Sequence, residues 1–129
     1  MKEIEFLTLA DILIIHKNQI ELYGGEDGIR DISLLLSALA MPKSTFDSNY
    51  LHSDILHMAV AYIYHICKNH PFIDGNKRVA LVAGLLFLEL NGIEINDPDE
   101  ELYTMVMNIA NGIGDKNYIY NILNKLSRG

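Results

Sequence analysis

Apolar residues recur along the chain with mostly helical spacing, and short polar or glycine-rich stretches separate the apolar segments. This pattern predicts an all-α fold of about six helices, with a flap between the second and third helices that has room for a short hairpin. The predicted segments, in chain order, are a helix from Thr8 or Asp11 to Tyr23, a helix over 32–41, a flap over 42–50, a helix from 53 through 67, a helix from Gly75 or Asn76 to 91, an extended stretch over 93–95, a helix over 97–111 and a helix over 116–126.

Capping residues set the ends of these helices. Gly24 and Gly25 end the first helix, Asp31 caps the second, and Pro42 ends it because proline cannot continue a helix. The remaining predicted ends are Ser53 with help from Asp54, Asn91-Gly92, Asp97 followed by Pro98 at the first helical position, and Asp115.

Two segments are apolar on nearly every face, residues 55–67 and residues 79–88. Such helices belong in the centre of a fold, and the short loop between them predicts a buried helical hairpin. The first helix has a narrower apolar stripe, formed by Ile12, Ile15, Ile20 and Leu22. His16 is predicted to lie on its surface.

Length and charge narrow the class of protein. The 129 residues predict one domain over 1–129, and half of them are hydrophobic, which is enough to fill a core. A net charge of −7 argues against bulk attraction to nucleic acid or to an anionic membrane. The first residues lack the pattern of a signal peptide, the longest apolar run is about half a membrane span, and Cys67 is the single cysteine. We therefore expect a soluble, cytoplasmic protein.

The chemistry is concentrated in nine residues, His70-Pro71-Phe72-Ile73-Asp74-Gly75-Asn76-Lys77-Arg78, between the two central helices. The N-terminus of the following helix attracts phosphate, and Gly75 allows close approach of an anion. Mg²⁺ bound between Asp74 and a phosphate would explain a carboxylate at this position. The ordinary pKa of histidine suits His70 to accept a proton near neutral pH.

Asp74, the other histidines and the cysteine each have a plainer interpretation that involves no active site. Asp74 alone would be a helix cap, and His52, His57 and His65 have no metal-binding spacing and are best explained as ordinary histidines of the helices. Cys67 lies three residues before His70, so a Cys–His pair is conceivable, but a small core residue is the simpler interpretation. The nine residues together favour a site for a phosphate-bearing molecule.

At these residues the chain resembles the Fic/Doc family, whose central motif is usually written H-x-F-x-[DE]-G-N-[GK]-R. The stretch Gly28-Ile29-Arg30-Asp31, the segment Leu34-Leu35 to Pro42 and the stretch Phe87-Leu88-Glu89-Leu90-Asn91-Gly92 also resemble the compact Doc branch. The resemblance implies the family's helical fold.

The resemblance also implies roles. His70 would be the base that takes a proton from a target hydroxyl, Asp74 would hold Mg²⁺, and Phe72 would be structural. The nucleotide phosphates would be bound by Gly75, Asn76, Lys77 and Arg78. The target chain would be aligned by the flap, including Lys43, Ser44, Thr45 and Phe46; from the residues alone, these are equally well explained as a solvated loop.

One departure from the wider Fic pattern concerns the reaction. Members of the family that transfer AMP usually have glycine at the position of Lys77 and a second arginine at the position of Leu81. Lysine at the first position resembles the Doc branch, which implies transfer of the γ-phosphoryl group of ATP to a protein, with an EF-Tu-like translation factor as the target and arrested translation as the outcome. AMP transfer and a catalytically silent binding module remain the alternatives.

The resemblance also implies a partner. No glutamate is followed by Gly or Asn, so the pattern of the family's inhibitory helix is missing from these 129 residues. We therefore expect a cognate antitoxin, of the Phd kind or another, and no direct contact with nucleic acid or membrane.

Overall fold

The structure, a computed structural model, describes residues 3–128. Its elements are α1 (Leu9–Tyr23), α2 (Ile32–Ala40), a 3₁₀ turn (Met41–Lys43), β1 (Thr45–Phe46), β2 (Asn49–Tyr50), α3 (Ile55–Asn69), α4 (Asn76–Leu90), α5 (Glu101–Ala110) and α6 (Lys116–Ser127). The prediction of an all-α fold with about six helices is confirmed. None of the helices within residues 3–128 is both long enough and apolar enough to cross a membrane.

The centre of the fold is the hairpin of α3 and α4, as the two apolar segments predict. The other helices surround it: α2, α5 and α6 pack on α3, and α1 and α5 pack on α4. Tyr62, Phe72 and Phe87 are among the largest fully buried side chains. The loop between α3 and α4 is therefore mounted on the most buried part of the molecule.

Most helix ends lie where the capping residues predict. Thr8 forms a reciprocal capping box with Asp11, and Asp31 and Asp115 each accept a hydrogen bond from the third backbone N–H of their helix. The prediction for α3 was one residue early, because Asp54 rather than Ser53 is the N-cap.

The predicted start of α5 is wrong. The helix begins at Glu101, and Pro98 lies in a turn before it. Asp97 still satisfies the helix terminus, because its carboxylate accepts hydrogen bonds from the N–H groups of Glu101 and Leu102. Residues 93–95 form no strand.

The flap is a two-stranded hairpin in which Thr45 faces Tyr50 and Phe46 faces Asn49. Its two turn residues, Asp47 and Ser48, have left-handed backbones, as the type I′ loop of a two-residue hairpin requires. Both strands are exposed. The hairpin that the sequence left open is therefore present.

Two predictions for α1 are wrong. Leu22 is 64% exposed, whereas His16 is buried at 3% exposure. The buried face consists of Ile12, Ile15, His16 and Gln19, which are spaced as one helical stripe. The stripe meets the loop before α4, so its C-terminal half carries polar side chains.

Candidate active site

His70 ends α3 in a left-handed conformation, with φ 51° and ψ 54°. This conformation is uncommon for a residue other than glycine and is retained only where the surroundings hold it. Arg30 provides that restraint: its Nε donates to the His70 carbonyl oxygen at 2.7 Å, and its Nη2 donates to the Asn69 carbonyl oxygen at 2.9 Å. The last carbonyls of a helix need such partners. Arg30 thus fixes the backbone that carries His70.

The segment before α2 pairs with the motif loop. The Arg30 N–H donates to the Pro71 carbonyl oxygen at 2.7 Å, and the Ile73 N–H donates to the Gly28 carbonyl oxygen at 3.0 Å. Ile29 and Phe72 form an isolated antiparallel bridge. This pairing ties the loop to a second segment of the chain.

Phe72 and Asn76 lock the loop from within. Phe72 is fully buried. Asn76 is also buried, and its side chain accepts from the Phe72 N–H and donates to the Phe72 carbonyl oxygen, both at 2.9 Å. The Asn76 side chain therefore closes the loop, so phosphate contact through this residue would draw mainly on its backbone N–H at the start of α4.

Asp74 is exposed, and its carboxylate is held by backbone groups. The N–H of Glu26 donates to Oδ2 at 3.2 Å, and the N–H of Gly75 donates to Oδ1 at 2.9 Å. These two bonds, followed by the charges of Arg78 and Lys77, lower the pKa of Asp74 below its usual value. The carboxylate is therefore ionised at neutral pH, with lone pairs left for a cation.

Gly25 allows the Asp74 carboxylate to lie close to the backbone at the end of α1. A β-carbon at position 25 would lie 2.8 Å from Oδ2 of Asp74, and φ at Gly25 is +117°. Both the close contact and the backbone angle require glycine. The glycines that end α1 therefore also shape the site.

The two cationic side chains of the motif, Arg78 and Lys77, differ in how many contacts hold them. Arg78 donates to the Gly24 carbonyl oxygen at 3.1 Å, and its guanidinium lies 5.3 Å from the centre of the Tyr23 ring. Lys77 is exposed at the start of α4. Arg78 therefore anchors the end of α1 while adding positive charge, and Lys77 extends from the first turn of α4.

The motif residues line one open cleft of about 420 Å³ between the loop and α5. The lining residues are Cys67, His70, Asp74, Gly75, Asn76, Lys77, Arg78, Leu81, Tyr103, Val106, Ala110 and Asn111. The structure thus brings together the predicted base, metal ligand and phosphate-binding residues, with Phe72 beneath them.

The flap residues Lys43, Ser44, Thr45 and Phe46 are not among those that line this cleft within residues 3–128. Tyr50 of β2 packs on Phe6, and Phe6 stacks on Phe87, about three turns along α4 from the motif. The role of the flap stays a prediction.

Other reactive side chains fit the plainer interpretations. Burial raises the pKa of the Cys67 thiol, and its Sγ lies 3.8 Å from the Val106 carbonyl oxygen, so it is a poor nucleophile here. Burial lowers the pKa of His65 to about 4 and also lowers that of His52. Among residues 3–128, no three His, Cys, Asp or Glu side chains are grouped as metal ligands.

Sequence reasoning missed four residues that shape the site, namely His16, Gly25, Glu26 and Arg30. His16 Nε2 lies 2.9 Å from the Asp74 carbonyl oxygen, and its ring stacks on Phe72. Only Arg30 carried a signal, since it belongs to the stretch 28–31 that resembles the Doc branch.

The arrangement suits Mg²⁺ together with a phosphate. An ionised, exposed carboxylate lies beside the N-terminus of α4, where two cations also lie. Mg²⁺ in proteins is commonly bound by one or two carboxylates plus phosphate oxygens, so a single aspartate is sufficient. The donor set therefore fits the cation.

The fold and the cleft define a class of protein, a small helical domain with a phosphate-compatible site between its two central helices. The chain belongs to the Fic/DOC family, whose family model matches residues 6–88. It is similar to "Toxin Doc" of Mycolicibacterium smegmatis, with 36% identity over 91 residues that cover 70% of this chain and 68% of that protein. It is also similar to "Protein kinase doc" of Escherichia phage P1, with 26% identity over 106 residues that cover 82% of each chain.

Proposed function

We propose that the chain is a Doc-type toxin that transfers the γ-phosphoryl group of ATP, with Mg²⁺, to a hydroxyl of a protein. The observation that carries this proposal is the convergence of His70, Asp74 and the N-terminus of α4 on one cleft. A base, a metal-binding carboxylate and an anion-attracting helix terminus are the parts that phosphoryl transfer needs.

In this proposal His70 acts as the base. The oxygen of the target hydroxyl attacks the γ-phosphorus, the bond to the β,γ-bridging oxygen breaks, and ADP leaves. The hydroxyl proton passes to a ring nitrogen of His70. The restraint that Arg30 places on the His70 backbone supports this role, because it limits the positions that the ring can take beside an incoming hydroxyl.

The remaining motif residues hold the nucleotide. Asp74 would hold Mg²⁺, which would neutralise charge on the phosphate oxygens. The first N–H groups of α4 and the side chains of Lys77 and Arg78 would face the phosphates. Gly75 precedes α4 in a left-handed conformation that favours glycine, and this conformation starts the helix whose N–H groups would bind the phosphate.

The identity of residues 77 and 81 favours phosphoryl transfer over AMP transfer. AMP-transferring relatives usually carry glycine and a second arginine there, whereas this chain has Lys77 and Leu81. Both side chains line the cleft. The name "Protein kinase doc" of the phage P1 relative also supports this choice.

The proposed partners are suggested by the name of the relative "Toxin Doc". A toxin implies a cognate antitoxin, of the Phd kind or another, and we propose an EF-Tu-like translation factor as the target, so that modification arrests translation in the cytoplasm. The flap, including Phe46, would align the target by strand addition, because both of its strands are exposed.

The test is a labelling experiment. The purified protein is incubated with Mg²⁺-ATP and a cell extract, once with the label on the γ-phosphate and once with it on the α-phosphate, and modified proteins are identified by mass spectrometry. Transfer of the γ-label to a translation factor supports the proposal, and transfer of the α-label supports AMP transfer.

Two variants tie the activity to the cleft. His70→Ala and Asp74→Ala should both abolish labelling. If the wild-type protein transfers neither label and leaves translation in the extract unchanged, the kinase proposal fails and a binding module is favoured.

A further inference from the structure

We infer that His16 is a positioning residue of this site: its ring fixes the peptide between Asp74 and Gly75 and so aims the Asp74 carboxylate. The inference rests on the proposed function in one respect, namely that the Asp74 carboxylate is the ligand of Mg²⁺. Its geometric basis, the bond from His16 to the Asp74 backbone, stands independently.

His16 is one of the few buried polar residues of the described chain. It lies on α1, is 3% exposed and faces the motif loop. Its ring is nearly parallel to that of Phe72, with 3.9 Å between the ring centres and 7° between the planes. A buried ring against a fully buried neighbour has little freedom to move.

The two ring nitrogens of His16 have different neighbours, and Nδ1 lies 3.6 Å from Oδ1 of the exposed Asp27. His16 Nε2 lies 2.9 Å from the Asp74 carbonyl oxygen. Because a carbonyl oxygen only accepts, Nε2 carries the proton and donates it. The Asp74 backbone is therefore tied to a helix 58 residues earlier in the chain.

The rigid peptide plane transmits this restraint. The carbonyl of Asp74 and the N–H of Gly75 belong to one planar peptide unit, so fixing the oxygen also fixes the direction of the N–H. That N–H donates to Oδ1 of Asp74 at 2.9 Å. The Glu26 N–H then holds Oδ2 from the other side. His16 thus sets the first of the bonds that orient the carboxylate.

Two substitutions separate the hydrogen bond from the ring. His16→Phe keeps a ring against Phe72 and removes the donor, whereas His16→Gln retains a side-chain N–H of similar reach and removes the ring. His57→Phe is the matched control, because His57 also stacks on a ring, that of Tyr120 at 4.2 Å, and lies near the other end of α3.

The first measurement is amide hydrogen exchange without any ligand. In His16→Phe the Gly75 and Glu26 amides should exchange about tenfold faster than in the wild type, while amides of α3 stay protected. His16→Gln and His57→Phe should leave both amides close to wild-type rates. Protection in α3 shows that each variant is folded.

The second measurement is binding of Mn²⁺ in the presence of a non-hydrolysable ATP analogue. Loss of an orienting group around a metal ligand typically weakens binding about 10- to 100-fold, which is the loss expected for His16→Phe. His16→Gln should stay within about threefold of the wild type, since the donor is kept.

The inference is overturned if His16→Phe leaves exchange at Gly75 and Glu26 unchanged, or if His16→Gln is no better than His16→Phe. If the wild-type protein binds no Mn²⁺-nucleotide, the proposed function fails instead. The exchange rates then still decide whether His16 orients this peptide.

Discussion

The motif loop and the flap are the two non-helical segments next to α3, and they are held in different ways. In the motif loop, hydrogen bonds to distant parts of the chain add to the local ones: Arg30 binds the His70 backbone, His16 binds the Asp74 backbone, and Arg78 binds that of Gly24. In the flap the hydrogen bonds are local, such as those from Leu51 N–H to Ser44 and from Asn49 to Asp47, and the long-range contact is the packing of Tyr50 on Phe6.

This difference indicates different tasks. A site that orients a base and a carboxylate needs atoms fixed before the substrate arrives, and long-range restraints provide this. A segment that pairs with many possible chains needs exposed edges and freedom to adapt, as in β1 and β2, where Phe46 is 75% exposed. The molecule therefore combines a firmly held candidate catalytic loop with an exposed candidate recognition element.

The largest expected effect comes from removing the proposed base, His70, in the motif loop. His70→Ala should lower the rate of phosphoryl transfer about 10²- to 10⁴-fold, the usual contribution of general base catalysis. Thermal stability should change little, because the His70 side chain is exposed and alanine, like histidine, keeps a β-carbon in the left-handed conformation. The rate is measured with γ-labelled ATP and the stability by thermal melting.

His57→Ala is the control for this prediction, since His57 lies on the same helix outside the cleft. It should transfer phosphate at nearly the wild-type rate. Retention of activity in His70→Ala would remove the base assignment and leave a site that only binds nucleotide.

The same contrast explains how far the sequence could predict the structure. Local signals were sufficient for the caps Thr8, Asp31 and Asp115, because a short polar side chain beside a helical pattern acts on its own backbone. Uniformly apolar segments were sufficient for the α3–α4 hairpin. The candidate residues around the cleft came from one continuous motif, so they lie together in the chain as well as in space.

Restraints across the chain could not be predicted. His16 lies at the edge of an apolar stripe, and the polar loop it meets is 58 residues away. The start of α5 was missed for a different reason: Asp97 reaches N–H groups four and five residues ahead, so Pro98 stays in the turn. Tertiary context decided the environment of His16, whereas the local reach of the Asp97 side chain decided the start of α5.

The second prediction weakens the restraint on His70 without touching its ring. Arg30→Met removes two charge-assisted hydrogen bonds to helix carbonyls, which should cost about 1–2 kcal/mol of stability at this exposed site. Transfer should fall about tenfold, mainly in kcat, because the base is less well oriented. Urea unfolding and steady-state kinetics measure the two effects.

Arg128→Met is the matched control, because it removes the same charge from an exposed position after α6. If both variants lose activity equally, net charge rather than the orientation of His70 is responsible.

The third prediction concerns α3, which joins the two regions. Burial, followed by the charges of Lys116 and His52, lowers the pKa of His65 to about 4. The unfolded chain therefore binds a proton more readily, so stability is complete above about pH 6.5 and falls as the pH drops towards 4. Allowing for partial exposure of the ring, the loss should be about 1 kcal/mol.

The measurement for His65 is the urea midpoint at pH 7 and pH 5. The wild type should lose more stability between the two values than His65→Gln does. An identical loss in His65→Gln would mean that another group carries the acid sensitivity.

The smallest effect on the fold is expected in the flap, where Phe46→Ser replaces an exposed ring. Stability should stay within about 0.5 kcal/mol of the wild type, as is usual for surface substitutions. If the flap aligns the target, KM for the protein substrate should rise about fivefold, because one modest interface contact is lost, while affinity for the ATP analogue is unchanged.

Ile113→Ser is the control, because Ile113 is a similarly exposed apolar residue between α5 and α6, and this variant should leave KM unaltered. Equal KM values for Phe46→Ser and the wild type would show that recognition lies elsewhere, and the flap would then be only a connection between α2 and α3.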